Sequence, residues 1–261
     1  SATAPGGLSH SVGSNVLSIS PTNAAFDYLA AGESNKILVS YMIKDVQNAT
    51  VAQTATVTIN GTNDMPTISV QTGDQAGVDL NEPASAGTKL TANGSLTLRD
   101  VDTSDKANVE VASVSISGPT GNLSINAVKS MLSLSNNINN EASVSTSSNL
   151  NWAFDSGSES FKFLGQDQTL QLTYTLKATD TSLTPLSSTQ NVVVTIKGMN
   201  DAPVITSVTP ASSADRTIAE FANTASSSTK HSLSGEIMIT DPDANTNLAG
   251  LTITPAPALN A

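Results

Sequence analysis

Two ten-residue stretches, VTINGTNDMP at 57–66 and VTIKGMNDAP at 194–203, nearly repeat each other at an offset of 137 residues. The clear changes are Asn60/Lys197 and Thr62/Met199, with Met65/Ala202 a third difference. Repetition at a long fixed period means that one structural unit is used again and again, so the chain folds as copies in series. The likeness extends upstream, where 26–45 resembles 161–180: Phe26 matches Phe161, Tyr28 matches Phe163 and Leu29 matches Leu164. Downstream, PTISV at 66–70 resembles PVITSV at 203–208, Glu82 finds a counterpart in Glu220, and 95–105 finds one in 235–245. These anchors divide the chain into the C-terminal half of one repeat (1–64), a complete repeat (65–201) and the N-terminal half of a third (202–261).

Each unit reads as β. Val, Ile, Leu and Ala alternate with Ser, Thr and Asn, the pattern of a half-buried pleated surface. Short alternating segments are predicted at 95–99, 109–116, 122–125, 143–146, 150–154, 169–177 and 191–197. Gly, Asn, Asp, Ser and Pro cluster between them, as turns of an antiparallel sandwich require. A short helix is allowed at 126–134. The predicted fold class is therefore all-β, with tandem antiparallel β-sandwich repeats joined end to end.

Composition removes several functions. The formal charge is −11, from 22 acidic and 11 basic residues, which opposes binding to nucleic acid or to an anionic membrane surface. There is no Cys, and His10 and His231 are the only histidines, so thiolate zinc sites and Cys-His catalysis lack their ligands. Aromatics are 3% of the chain and Trp152 is the single Trp, poor provision for a sugar-stacking glycosidase. Trp152 and Phe154 alternate with smaller residues and read as core. No apolar run approaches membrane-spanning length. The first residues carry no signal-peptide pattern, and export is expected to use a signal outside this region.

GTNDMP and GMNDAP, each after a Val-Thr-Ile strand, resemble the closing signature of VCBS repeats, the tandem modules of large bacterial surface adhesins. The resemblance covers nearly the whole chain and implies a cadherin-like or immunoglobulin-like sandwich strung end to end on a secreted protein. The Gly-rich nonapeptide calcium repeats of many such adhesins are absent here.

The acids then suggest calcium (Ca2+), which takes six to eight hard oxygen ligands. Asn63 and Asp64 form the linker into the complete repeat. Asp100 and Asp102 leave an early strand with both carboxylates on one side, and Asp180 leaves the penultimate long strand. All five are expected at one end of the sandwich. A second set at the next linker would comprise Asn200, Asp201, Asp241 and Asp243, with Glu82 reaching down to it as the corresponding glutamate does in cadherin-like folds. Asp45 would be the equivalent loop acid of the first repeat, and Asp105 stands open between ligand and solvated loop acid. The competing reading makes Asn-Asp-x-Pro a turn and cap device.

The expected function is non-enzymatic: an extracellular, bacterial cell-surface spacer or stalk stiffened by calcium. Its partners are calcium ions and neighbouring repeats of the same protein or of other copies; an adhesive receptor is not specified by the sequence. The alternative is a self-assembling surface-layer, sheath or filament subunit, in which half-domains of neighbouring chains complete each other.

Overall fold

The computed structural model describes residues 8–13, 16–21, 26–135, 147–209 and 236–243. The strands are β1 (Leu8–Gly13), β2 (Val16–Pro21), β3 (Ser34–Lys44), β4 (Thr50–Asn60), β5 (Thr67–Ser69), β6 (Gly77–Asn81), β7 (Thr91–Arg99) and β8 (Ala107–Ser117). After helix α1 (Ile125–Ser130) come β9 (Leu132–Ser135), β10 (Leu150–Asp155), β11 (Thr169–Asp180), β12 (Ser187–Lys197), β13 (Val204–Thr209) and β14 (Glu236–Thr240). Among the described residues fourteen strands stand against one six-residue helix, so the fold is all-β.

The central strands build two four-stranded sheets, β5-β7-β10-β9 and β6-β12-β11-β8. β11 shows why they stack: every second residue, Leu170, Leu172, Tyr174, Leu176 and Ala178, is fully buried. The opposing sheet contributes Leu96, Leu98, Leu150, Trp152 and Phe154. Burial of a large apolar side chain stabilises by about 1.5–3 kcal/mol, and this shared core is what holds the two sheets face to face. Its polar tips are matched. Trp152 Nε1 donates to the Gln75 carbonyl at 2.8 Å and the Tyr174 hydroxyl to the Val128 carbonyl at 3.0 Å. β1-β2, β3-β4 and β13-β14 form separate two-stranded antiparallel sheets.

Not every predicted element holds. The 122–125 segment is no strand: Gly121 turns the chain at φ +52°, and Ser124 caps α1 by accepting from the Ala127 amide. The helix expected over 126–134 stops at Ser130, and Leu132–Ser135 continues as a strand. The segment 143–146 lies outside the described residues, as do Glu220 and His231.

One pairing departs from the antiparallel expectation, since β6 runs parallel to β12, with Val193 opposite Gly77. The chain crosses from one sheet to the other between β5 and β6 and so meets the edge of β12 running the same way. That crossing is anchored by Asp74, which accepts from the Ser95, Thr97 and Ser148 hydroxyls and the Gln71 amide. These bonds outweigh burial and hold the Asp74 carboxyl below its ordinary value. Opposite, β8 bulges where it pairs with β11, and Lys129 donates to the carbonyl of the extra residue, Ala112.

Candidate metal centres at the two linkers

The glycine of each repeated motif is placed by a turn that the two copies share. Leu29 N donates to the Phe26 carbonyl and Glu33 N to Ala30; Leu164 N donates to Phe161 and Gln168 N to Gly165. Glu33 and Gln168 fold back identically, accepting from the Ala30 and Gly165 amides. Gly61 N then donates to the Glu33 carbonyl and Gly198 N to that of Gln168. A Cβ on Gly61 would collide with the Leu29 and Ala30 carbonyls, and one on Gly198 with those of Leu164 and Gly165. Only glycine permits so close a backbone approach.

From that pivot the first linker runs into the base of the sandwich. Asp64 N donates to Asp102 Oδ2 at 2.7 Å, and Asp102 N to Asp100 Oδ1 at 3.1 Å. Asn63 Nδ2 donates to Asp180 Oδ2 at 3.0 Å and to the Thr184 carbonyl. Asp100, Asp102 and Asp180 are buried, while Val101 between the first two points outward. Thr103 ties the same loop back to the Tyr28 carbonyl through its amide and hydroxyl. The structure thus brings Asn63, Asp64, Asp100, Asp102 and Asp180 together, as expected from the sequence.

It adds Glu33 and Asp27, and it puts Asp105 with them. The Asp105 carboxyl is raised by burial and then by repulsion from Asp180 and Glu33, which places all three at this end. Asp27 shares a shallow depression with Asp64 and Gly61. Asp45, by contrast, is exposed and folds onto its own hairpin turn, accepting from the Gln47 and Ala49 amides.

The electrostatics are unbalanced. Among the described residues no Lys or Arg pairs with these carboxylates. The buried oxygens Asn63 Oδ1, Asp100 Oδ2, Asp102 Oδ1 and Asp105 Oδ2 have no hydrogen-bond donor. Burial, then repulsion from Asp102, Asp105 and Asp180, pushes the Asp100 carboxyl up to about 6 against a lowering bond from the Asp102 amide. Asp102 is raised by burial and by Asp64, Asp105 and Asp180. Buried acceptors without donors and like charges without a counter-ion are both unfavourable. Among the described residues, however, no three His, Cys, Asp or Glu side chains are already gathered closely enough to hold a metal.

The second linker repeats the scaffold with different charges. Asp201 N donates to Asp243 Oδ2 at 3.2 Å and Asp243 N to Asp241 Oδ1 at 3.0 Å, the same pair of bonds as at Asp64, Asp102 and Asp100. Glu82 reaches this linker: its amide donates to the Lys197 carbonyl, and its Oε2 accepts from the Met199 amide at 3.1 Å. Asn200 is exposed and bonds only the adjacent Asp201 carbonyl. Between the acids sits a residue that sequence reading passed over. Lys162 Nζ lies 2.6 Å from Asp201 Oδ1 and 2.9 Å from Glu82 Oε1. Burial lowers the proton affinity of this ammonium, but the two carboxylates outweigh it and hold it above the ordinary lysine value. Glu82 is raised by burial, and Asp243 by burial and by Asp241 and Asp201, with Lys162 opposing both.

No protein-family model matches the chain, and neither does any curated protein. Solved structures do. A protocadherin gammaB4 extracellular domain is 14% identical with TM-score 0.39, over 78% of this chain and 28% of that one. The cadherin repeats EC3-6 of protocadherin gammaB7 are 13% identical with TM-score 0.38, over 78% and 42%. Mouse protocadherin-24 EC1-3 is 16% identical with TM-score 0.37, over 94% and 66%. The chain therefore spans less than two thirds of the gamma-protocadherin chains it matches, and the fold class rests on its own sheets.

Proposed function

We propose that this chain is a non-enzymatic, load-bearing segment of an extracellular bacterial surface protein of the VCBS-repeat kind. Its units are 1–64, 65–201 and 202–261, and its first linker is held by calcium. The observation that carries the reading is the first linker: Asn63, Asp100, Asp102 and Asp105, where the chain enters the sandwich, each carry a buried oxygen without a hydrogen-bond donor. Carboxylate and amide oxygens are the donor set a hard divalent cation takes. By donor chemistry the residues fit such an ion, which would draw together carboxylates not yet gathered around one point. Asn63, Asp64, Asp100, Asp102 and Asp180 would hold it at the first linker; Asn200, Asp201, Asp241, Asp243 and Glu82 form the corresponding second set. A bound calcium would supply the positive charge that the first cluster lacks. The chain's own part is to orient the oxygens: the Asp64 and Asp102 amides each fix one oxygen of Asp102 and Asp100, leaving the other bare. Cross-linking linker to loop in this way turns a flexible string of domains into a rod.

The test is a thermal melt in chelator and in millimolar calcium, with Asp100→Asn/Asp102→Asn beside the parent. An ion that binds only the folded state adds about 2.7 kcal/mol at a hundredfold excess over its Kd, a rise of several degrees in Tm. The rise should vanish in the variant. A parent melt indifferent to calcium would reduce the Asn-Asp-x-Pro linker to a turn. A second reading, subunit assembly through completed half-repeats, has one observation in its favour: Leu38, Met42, Ile43 and Val51 are exposed on the two-stranded β3-β4 sheet. Concentration-dependent association in analytical ultracentrifugation would support it, and a monomer throughout would end it.

A further inference from the structure

We propose that Lys162 is a tethered cation that holds the second linker in place of a divalent ion, so that the two linkers of one chain differ in metal demand. The inference rests on the calcium reading of the first linker but is tested separately from it. The shared turn puts Lys162 where the first copy has Asp27, and Gln168 where it has Glu33. The second turn, 161–168, is therefore two charge units more positive than the first, 26–33: two from the first exchange and one from the second, less one because Asp167 stands where the first copy has Gly32. This charge lies inside the junction. Glu82 is 2% exposed and the Lys162 side chain 16%, and the ammonium bridges carboxylates from two places, Glu82 after β6 and Asp201 in the linker. A metal ion and an ammonium cannot fill the same space between those oxygens. Phe161, fully buried and at φ +58°, fixes the backbone from which Lys162 projects, and its amide donates to Glu159 Oε1 at 2.7 Å. The bridge is thus built on a constrained residue.

Hydrogen–deuterium exchange of the full chain separates the linkers, because Asp64 N bonds Asp102 while Met199 N and Asp201 N bond Glu82 and Asp243. In chelator, peptides over 198–203 should stay protected while those over 61–66 exchange freely. Calcium should slow 61–66 about tenfold or more and leave 198–203 nearly unchanged. Lys162→Gln should expose 198–203 in chelator and make its protection calcium-dependent, whereas Lys162→Arg should keep the parent pattern. The proposal is overturned if Lys162→Gln leaves 198–203 as protected in chelator as the parent. It is equally overturned if calcium protects both linkers of the parent alike. Calcium-indifference of 61–66 alone would instead remove the calcium reading of the first linker, and the Lys162 bridge would stand if Lys162→Gln still released 198–203.

Discussion

The two linkers share a backbone and differ in charge. Gly61 and Gly198 press against the same turn, and Asp64–Asp102–Asp100 is repeated bond for bond by Asp201–Asp243–Asp241. Yet among the described residues the first gathers acids without a positive partner, while the second encloses Lys162 between Glu82 and Asp201. Backbone geometry at such a junction is thus set by glycine and Asp-to-amide bonds, and its charge balance is set independently by side chains on the neighbouring turn. One scaffold can carry either an all-acid cluster or one that contains its own ammonium, by exchanging residues that leave the shared backbone hydrogen bonds in place.

The largest effect should strike what the linkers have in common. Gly61→Ala and Gly198→Ala each force a methyl onto backbone carbonyls that cannot turn aside, at a cost of about 3 kcal/mol in denaturant melts. If only one of them destabilises, the pivot is not shared.

Next comes the contrast itself, read in chelator. Lys162→Gln leaves buried Glu82 and Asp201 facing each other uncompensated and should destabilise by about 2 kcal/mol. Asp100→Asn removes a repelled charge while keeping an acceptor for the Asp102 amide, and should stabilise the metal-free chain by about 1 kcal/mol. Equal signs for the two would erase the difference between the linkers.

Acidity should sharpen it further. The Asp100 carboxyl sits near 6 in the folded chain against an ordinary 3.8, so the folded state binds the proton more tightly than the unfolded one. Metal-free stability therefore rises as pH falls from 7 through about 6 toward 4, and is lost again as pH climbs. Asp102 and Asp105 are raised in the same direction. Lys162, held above the ordinary lysine value, contributes fully at neutral pH and loses its contribution only in the alkaline range. Asp100→Asn should flatten the acid-side gain in melts run from pH 7 to 5, and Lys162→Gln should not.

The smallest and most specific effect is a transplant. Asp27→Lys with Glu33→Gln gives the first turn the lysine and glutamine of the second. It should stabilise the chain in chelator by about 1 kcal/mol and blunt its calcium response. An undiminished calcium shift in this variant would mean that Asp27 and Glu33 do not bear on the site.

Much of this was legible beforehand. The alternation of β11 and β12 specifies a sheet with one buried face, because side-chain direction reverses at every residue. Asp100 and Asp102, two apart across Val101, had to point the same way for the same reason, and both are buried. Other parts were not legible. At 122–125 a strand was expected from a local apolar pattern, but Gly121 and the Ser124 cap turned those residues into the entry of α1. The parallel pairing of β6 was invisible because it depends on where a crossing connection delivers the chain. Lys162 escaped notice because matching Phe26, Tyr28 and Leu29 to Phe161, Phe163 and Leu164 attends to what repeats, and its significance lies in what does not.

The sequence by itself determined the β class and the spacing at which the linker motif recurs, since these follow from residue periodicity and from turn chemistry local in the chain. Only the tertiary structure decided which charges meet. Glu82 and Lys162 are 80 residues apart in sequence, and Asn63 and Asp180 are 117 apart. Coulomb energy depends on distance in space and on burial, and neither quantity exists until the two sheets have packed.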